Sequence, residues 1–125
     1  MPTRALRGAI TCDADTTDEI LGQTTRLLTE LFERNHIGND CITSIFFTAT
    51  SDLTAIAPAA AARGFGLTDV PLLCAQEMDV QGGLARCIRV MLHFDCDLPR
   101  SELNHVFLRA ATTLRPDLAQ PGDDA

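Results

Sequence analysis

The residues best able to do chemistry lie between Cys74 and Leu92, where two charges stand in apolar surroundings. Glu77 leaves one apolar run, and Arg89 interrupts a second, Cys87-Ile88-Arg89-Val90-Met91-Leu92. A guanidinium inside a strand that is otherwise apolar on both faces is costly unless a partner or a ligand meets it. Arg89 is therefore either half of a structural ion pair, with Glu77 the natural partner, or a ligand-binding group. Arg7 sits mid-strand beside Gly8 and is open to the same two readings. Arg7, Arg63, Arg89 and Arg115 could converge on a small polycarboxylate, but their spacing does not decide whether they do. All ten basic residues are arginine. Any anion site here is built from guanidinium forks, which suit carboxylates in bidentate geometry.

Other chemistries find less support. Cys74 is a conceivable nucleophile, yet no histidine stands in a recognisable relation to it, and a buried inert thiol is the simpler reading. Cys87, His93 and Cys96 lack the paired close spacing of zinc sites, so no metal is expected. Gly82-Gly83 is too short to cradle a phosphate and suits a turn. His36 and His105 read as helix-end or surface residues. Tyrosine and tryptophan are absent, which leaves no phenol to act as an acid. A net charge of −7 argues against nucleic acid as a partner. No apolar run approaches a bilayer span, and Met1-Pro2-Thr3-Arg4 opens no signal-peptide pattern, so no membrane association and a cytoplasmic location are expected. Five scattered cysteines do not suggest a disulfide framework.

The elements that must position these residues are legible from periodicity. Residues 3–11 alternate as a first strand. Thr16-Thr17-Asp18-Glu19 fits a capping box, with Thr16 as N-cap and Glu19 at N3. The following helix carries Ile20, Leu21, Thr24, Leu27, Leu28, Leu31 and Phe32 on one stripe and should stop near Asn35. Residues 42–50 form a second strand rich in β-branched and aromatic side chains. Pro58 opens a short helical piece, Ala59 to Arg63, ended by Gly64 and Gly66. Residues 70–76 and 86–95 read as a third and a fourth strand, and His105 to Leu114 as a fifth. Residues 1–118 thus form one domain and 119–125 a flexible polar tail. The fold class is α+β, a five-stranded sheet with one long helix on one face. One helix covers one face only, yet 42–50 and 86–95 are apolar on both, so self-association is expected.

Several motifs, in register from about residue 4 to 118, resemble the monofunctional chorismate mutases of the trimeric, non-helical (AroH) class. They are Arg7-Gly8-Ala9, Gln76-Glu77-Met78-Asp79-Val80, Gly82-Gly83-Leu84, Cys87-Ile88-Arg89-Val90 and Leu114-Arg115-Pro116-Asp117-Leu118. The resemblance implies a mixed five-stranded sheet and a homotrimeric pseudo-α/β-barrel with clefts at the subunit interfaces. It also implies a reaction, the Claisen rearrangement of the dicarboxylate chorismate to prephenate in aromatic amino acid biosynthesis, with no cofactor. By motif, Arg89 would donate to the ether oxygen, Glu77 would accept from the ring hydroxyl, and Arg7 would clamp a carboxylate. Cys74 would contribute its backbone N–H at the pocket wall. Ala59 and its neighbours would line the cleft from the adjacent subunit, with Phe107 and Leu114 also at the pocket. Arg63 and Arg115 would guide or enclose the dianion, and the tail beyond would act as a lid.

The chain departs from the family pattern at Phe107, which stands where tyrosine is usual, and at Ala57, where phenylalanine is usual. Leu73 replaces a usual threonine and Ala60 a common lysine. A neutral hydrogen bond is worth roughly 0.5–1.5 kcal/mol, so losing the phenol should slow turnover about tenfold at most. Phe107 and Ala57 favour an alternative, a non-catalytic trimeric binder of chorismate-like acids. An imine or enamine deaminase of related architecture is a further alternative, disfavoured by the Gln76–Val80 and Arg115–Leu118 motifs.

Overall fold

Thr3–Thr11 forms β1, whose Leu6, Gly8 and Ile10 are buried under α1, Thr17–Asn35. The computed structural model describes all 125 residues. After α1 come β2 (Ile42–Ala49), α2 (Ala59–Gly64), β3 (Leu72–Gln76), β4 (Cys87–Asp95) and β5 (Val106–Phe107). The five strands make one sheet in the order β3-β2-β4-β1-β5. β4 runs antiparallel to both β1 and β2, while β2·β3 and β1·β5 are parallel, so the sheet is mixed. Ile20, Leu27, Leu28 and Leu31 of α1 share the main core with sheet residues such as Leu6, Ile45, Phe47, Ile88 and Leu92. Gly8 sets the depth of that contact. A Cβ there would lie 3.0 Å from Leu27 Cδ1 and 3.0 Å from the Val106 carbonyl.

The start of α1 follows the expected box by half. The Thr16 hydroxyl accepts from the Glu19 N–H at 3.1 Å. The Glu19 carboxylate does not return to the cap; it accepts from the Asp13 N–H at 2.8 Å and from the Arg109 guanidinium at 3.2 Å. A charge-assisted bond to Arg109 offers more than an amide that water can reach.

The expected fifth strand is the main correction. Only Val106 and Phe107 pair with β1, and Arg109–Leu114 winds into a 3₁₀ helix. Arg109 turns the chain with a left-handed φ of 57°. Its side chain joins Asp13 at 2.7 Å and Glu19 at 3.2 Å, and its N–H donates to the Asp123 carbonyl. Charges placed far away in sequence thus override the local apolar pattern. The tail over 119–125 also has an anchor that its polar composition did not suggest. Asp123 is 2% exposed and takes a fork from Arg34 at 2.7 and 3.2 Å, which holds its carboxyl below the usual range.

Candidate active site

Strand register assembles the site. One row crosses all five strands as successive partners: Phe107, Ala9, Arg89, Thr48 and Ala75. The next holds Arg7, Met91, Phe46 and Leu73. Their immediate chain neighbours Leu6, Ile45, Phe47, Ile88, Val90 and Leu92 belong to the core under α1, so these rows face the other way. β3 and β4 border the Cys74–Leu92 stretch but do not pair, because β2 lies between them. Glu77 follows β3, with its N–H donating to the Ala49 carbonyl at 2.9 Å, and Glu77 and Arg89 meet across β2. The turn between them closes with the Gly83 N–H on the Val80 carbonyl and Gly82 at φ 80°, a conformation suited to glycine.

The ion pair is incomplete. Arg89 Nε stands 3.5 Å from Glu77 Oε2, beyond the about 2.7–2.9 Å of a charge-assisted hydrogen bond. Arg89 Nε is buried and without a hydrogen-bond partner. Glu77 Oε2 instead accepts from Thr48 Oγ1 at 2.5 Å. A buried donor left unmade costs about 1–3 kcal/mol, more when charged, so the pair is held apart at a cost in stability. Arg7 is exposed, with its guanidinium carbon 5.8 Å from the centroid of the buried Phe107 ring. Its N–H donates to His105 Nδ1 at 3.0 Å. Arg7, Phe46, Thr48, Glu77, Arg89 and Met91 line an open depression of about 300 Å³. It offers two guanidinium groups and one carboxylate over an apolar floor, a fit for a small dianion that also carries a hydroxyl.

The remaining expected site residues divide into two groups. Leu114 packs against Ala9, Cys87, Phe107 and Ala111, beneath the same face. Arg115 is exposed and spends its fork on Asp117 at 2.9 and 3.1 Å, which holds that carboxyl below the usual range. Cys74 is the register partner of Phe47, so its thiol lies on the α1 side. Ala59 is buried in the same core, and Arg63 is exposed on the last turn of α2. The structure thus brings Arg7, Glu77, Arg89, Phe107 and Leu114 together and leaves Ala59, Arg63 and Cys74 on the other side of the sheet. Cys74 there lines a second depression of about 340 Å³ with Ala57 and Pro58. Alternate residues of β3 bond to β2, since Pro71 accepts from Ile45 and Glu77 donates to Ala49. By that alternation the Cys74 N–H points off the free edge of the sheet.

Sequence reasoning missed Thr48 and His105. A threonine in a β-rich run carries no signal, because its place beside both charges exists only once β2 inserts between β3 and β4. The buried thiols are poor nucleophiles. Burial and then Glu19 push Cys12 up to about 11, and burial raises Cys87. No group of three or more His, Cys, Asp or Glu side chains converges on a point, and no helix is long and apolar enough to cross a membrane.

Residues 3–118 match the family model for chorismate mutase type I. The chain belongs to that family. It is 44% identical over 120 residues to chorismate mutase AroH of Bacillus subtilis (strain 168), covering 95% of this chain and 94% of the relative. Chorismate mutase AroH of Thermus thermophilus is 45% identical over 116 residues, covering 92% and 95%. The solved chorismate mutase from Clostridium thermocellum superposes with a TM-score of 0.86 at 45% identity, covering 88% of this chain and 98% of that one. Its likeness extends to the mixed sheet with one long helix.

Proposed function

We propose that this chain is a chorismate mutase, an isomerase that converts chorismate to prephenate on the way to the aromatic amino acids. The observation that carries the site reading is the buried, unpartnered Nε of Arg89 beside Glu77, in a member of this family. The rearrangement breaks the ether C–O bond of the substrate as a C–C bond forms to the ring, within one molecule. It needs no proton transfer and no covalent intermediate. What the protein supplies is a compact substrate pose and charge complementary to the transition state. As the ether bond lengthens, negative charge gathers on the oxygen and positive charge on the ring. In this reading Arg89 donates to the ether oxygen, Glu77 accepts from the ring hydroxyl near the positive ring, and Arg7 holds a carboxylate. Phe107 supports Arg7 through its ring face and supplies no hydroxyl.

The finer reading is a homotrimer. Arg7, Glu77 and Arg89 form one half of a site, and Ala59, Arg63 and the outward N–H of Cys74 form the other. Pairing one half with the opposite half of a neighbour gives a complete cleft at each interface of a closed ring. The apolar side chains left exposed on the outer sheet face, Phe46, Leu73 and Met91, are then covered. Arg115 and the segment after it flank the cleft, and a cytoplasmic location belongs to the same reading.

The test is turnover of chorismate by the purified chain, followed as loss of its ultraviolet absorbance, with prephenate identified as product. Steady conversion is expected. Binding of chorismate without conversion overturns the enzyme reading in favour of a non-catalytic binder.

A further inference from the structure

We propose that Thr48 is the positioning residue of the Glu77–Arg89 pair. Its hydroxyl occupies one carboxylate oxygen of Glu77, so that the pair does not close, and the other oxygen and the accessible part of the Arg89 side chain stay open to the substrate. This rests on the reading above that Glu77 and Arg89 act on chorismate.

A carboxylate and a guanidinium left to themselves close to about 2.7–2.9 Å, often as a two-bond fork. Here Arg89 Nε and Glu77 Oε2 stand 3.5 Å apart. That same oxygen takes the Thr48 hydroxyl at 2.5 Å. Arg89 Nε is left buried and without a hydrogen bond although a carboxylate is its neighbour. The hydroxyl is where it is because of register. Thr48 lies opposite Arg89 in the β2·β4 ladder and opposite Ala75, two residues before Glu77, in the β2·β3 ladder. Thr48 thus stands between the two charges on the face that carries both. Threonine is stiff at χ1, so its hydroxyl is held in place at small entropic cost.

Removal of the hydroxyl frees Oε2 to accept from Arg89 Nε. The pair then collapses into a closed ion pair, and a substrate must break it before either group can face the ether oxygen or the ring hydroxyl. The loss falls on orientation in the transition state more than on ground-state affinity, because Arg7 still holds a carboxylate.

The experiment compares chorismate turnover by Thr48→Val, Thr48→Ser, Glu77→Ala and the double variant Thr48→Val/Glu77→Ala, with thermal melting of each. Thr48→Val is expected to lower kcat by roughly tenfold or more with a smaller change in KM. Thr48→Ser keeps the hydroxyl and should return kcat to within about threefold of wild type. On the Glu77→Ala background, Thr48→Val should cost no more than about twofold, because a residue that acts through Glu77 has nothing left to position. If Thr48→Val fails to fold, Thr48→Ala removes the hydroxyl without the isosteric methyl and serves the same comparison. An undiminished kcat in Thr48→Val, with Glu77→Ala inactive, overturns the proposal and leaves the site reading standing. An equal loss on both backgrounds makes Thr48 a purely structural residue and also overturns it. A fully active Glu77→Ala overturns the site reading, and the role of Thr48 with it.

Discussion

Arg89 is the one charged side chain in β4 before its terminal Asp95, the strand's inner face is wholly apolar, and Arg89 Nε is left without a partner. Retaining such a group lowers stability unless a ligand uses it, which is the pattern expected of a transition-state donor. Arg89→Gln should lower kcat by at least the roughly 10²–10³ typical of losing one such donor, with a smaller effect on KM. Steady-state turnover of chorismate checks this, and a near wild-type kcat would remove Arg89 from the centre of the mechanism. Phe107 shows how a departure from the family pattern is accommodated. Its ring lies 5.8 Å from the Arg7 guanidinium carbon. The ring lies against the guanidinium and lacks only the hydroxyl that a tyrosine would carry. At this scale the sequence exposed the charges by their misfit, whereas Thr48 fits its strand and His105, just ahead of β5, reads as a surface residue, so neither gave a signal.

Elements set the depth and stability of the face on which those residues stand. The closeness of α1 to β1 depends on Gly8, where an added Cβ would meet the Val106 carbonyl at 3.0 Å and Leu31 Cδ1 at 3.2 Å. A backbone carbonyl cannot turn aside as a side chain can. Gly8→Ala should therefore destabilise the fold by about 1–3 kcal/mol, read as a lower thermal midpoint. An unchanged midpoint would mean that the helix has room to move. The β1–β5 edge carries a pH dependence of its own. His105 Nδ1 accepts from the Arg7 N–H, so the ring must be neutral at that nitrogen. Burial, then the nearby Arg115 and Arg7, hold its titration below the usual histidine range. As pH falls, the unfolded chain takes this proton first, near about pH 6.5, and the folded chain only lower. The stability from this contact is thus fully present above that pH and is lost as pH falls through the lower folded value. Between about pH 7.5 and pH 5 the melting midpoint of wild type should drop further than that of His105→Gln. Equal slopes would assign the loss to other groups.

At the scale of the whole molecule, α1 covers one sheet face, and the other carries only the short 3₁₀ helix Arg109–Leu114, packed on Ala9, Cys87 and Phe107. On that second face Leu73 is 58% exposed, Phe46 43% and Met91 39%. Light scattering should report three chains per particle. Leu73→Asp, which places a charge on the expected interface, should shift the protein toward smaller species and make specific activity fall on dilution. A fully active monomer would sink the reading that a neighbour supplies Ala59, Arg63 and Cys74. The net charge of −7 does not oppose an anionic substrate, because Arg7 and Arg89 make the face around the depression locally positive.

The sequence by itself determined the class of fold, the span of α1 and the identity of the two central charges. Each rests on a local signal, the 3.6-residue period, a capping threonine, or a charge inside an apolar strand. The motifs beside them sufficed to point to a family. Other features were decided only in three dimensions. β5 stops at Phe107 because Arg109 is drawn to Asp13 and Glu19, 90 residues or more away in the chain. Asp123 is buried because Arg34 of α1 waits for it. Glu77 and Arg89 face each other across Thr48 because β2 enters between β3 and β4. Strand order and the ion pairs of Arg109 and Arg34 join residues far apart in the chain, and Thr48 lies outside the short stretch that holds Glu77 and Arg89, so no local window contains these arrangements.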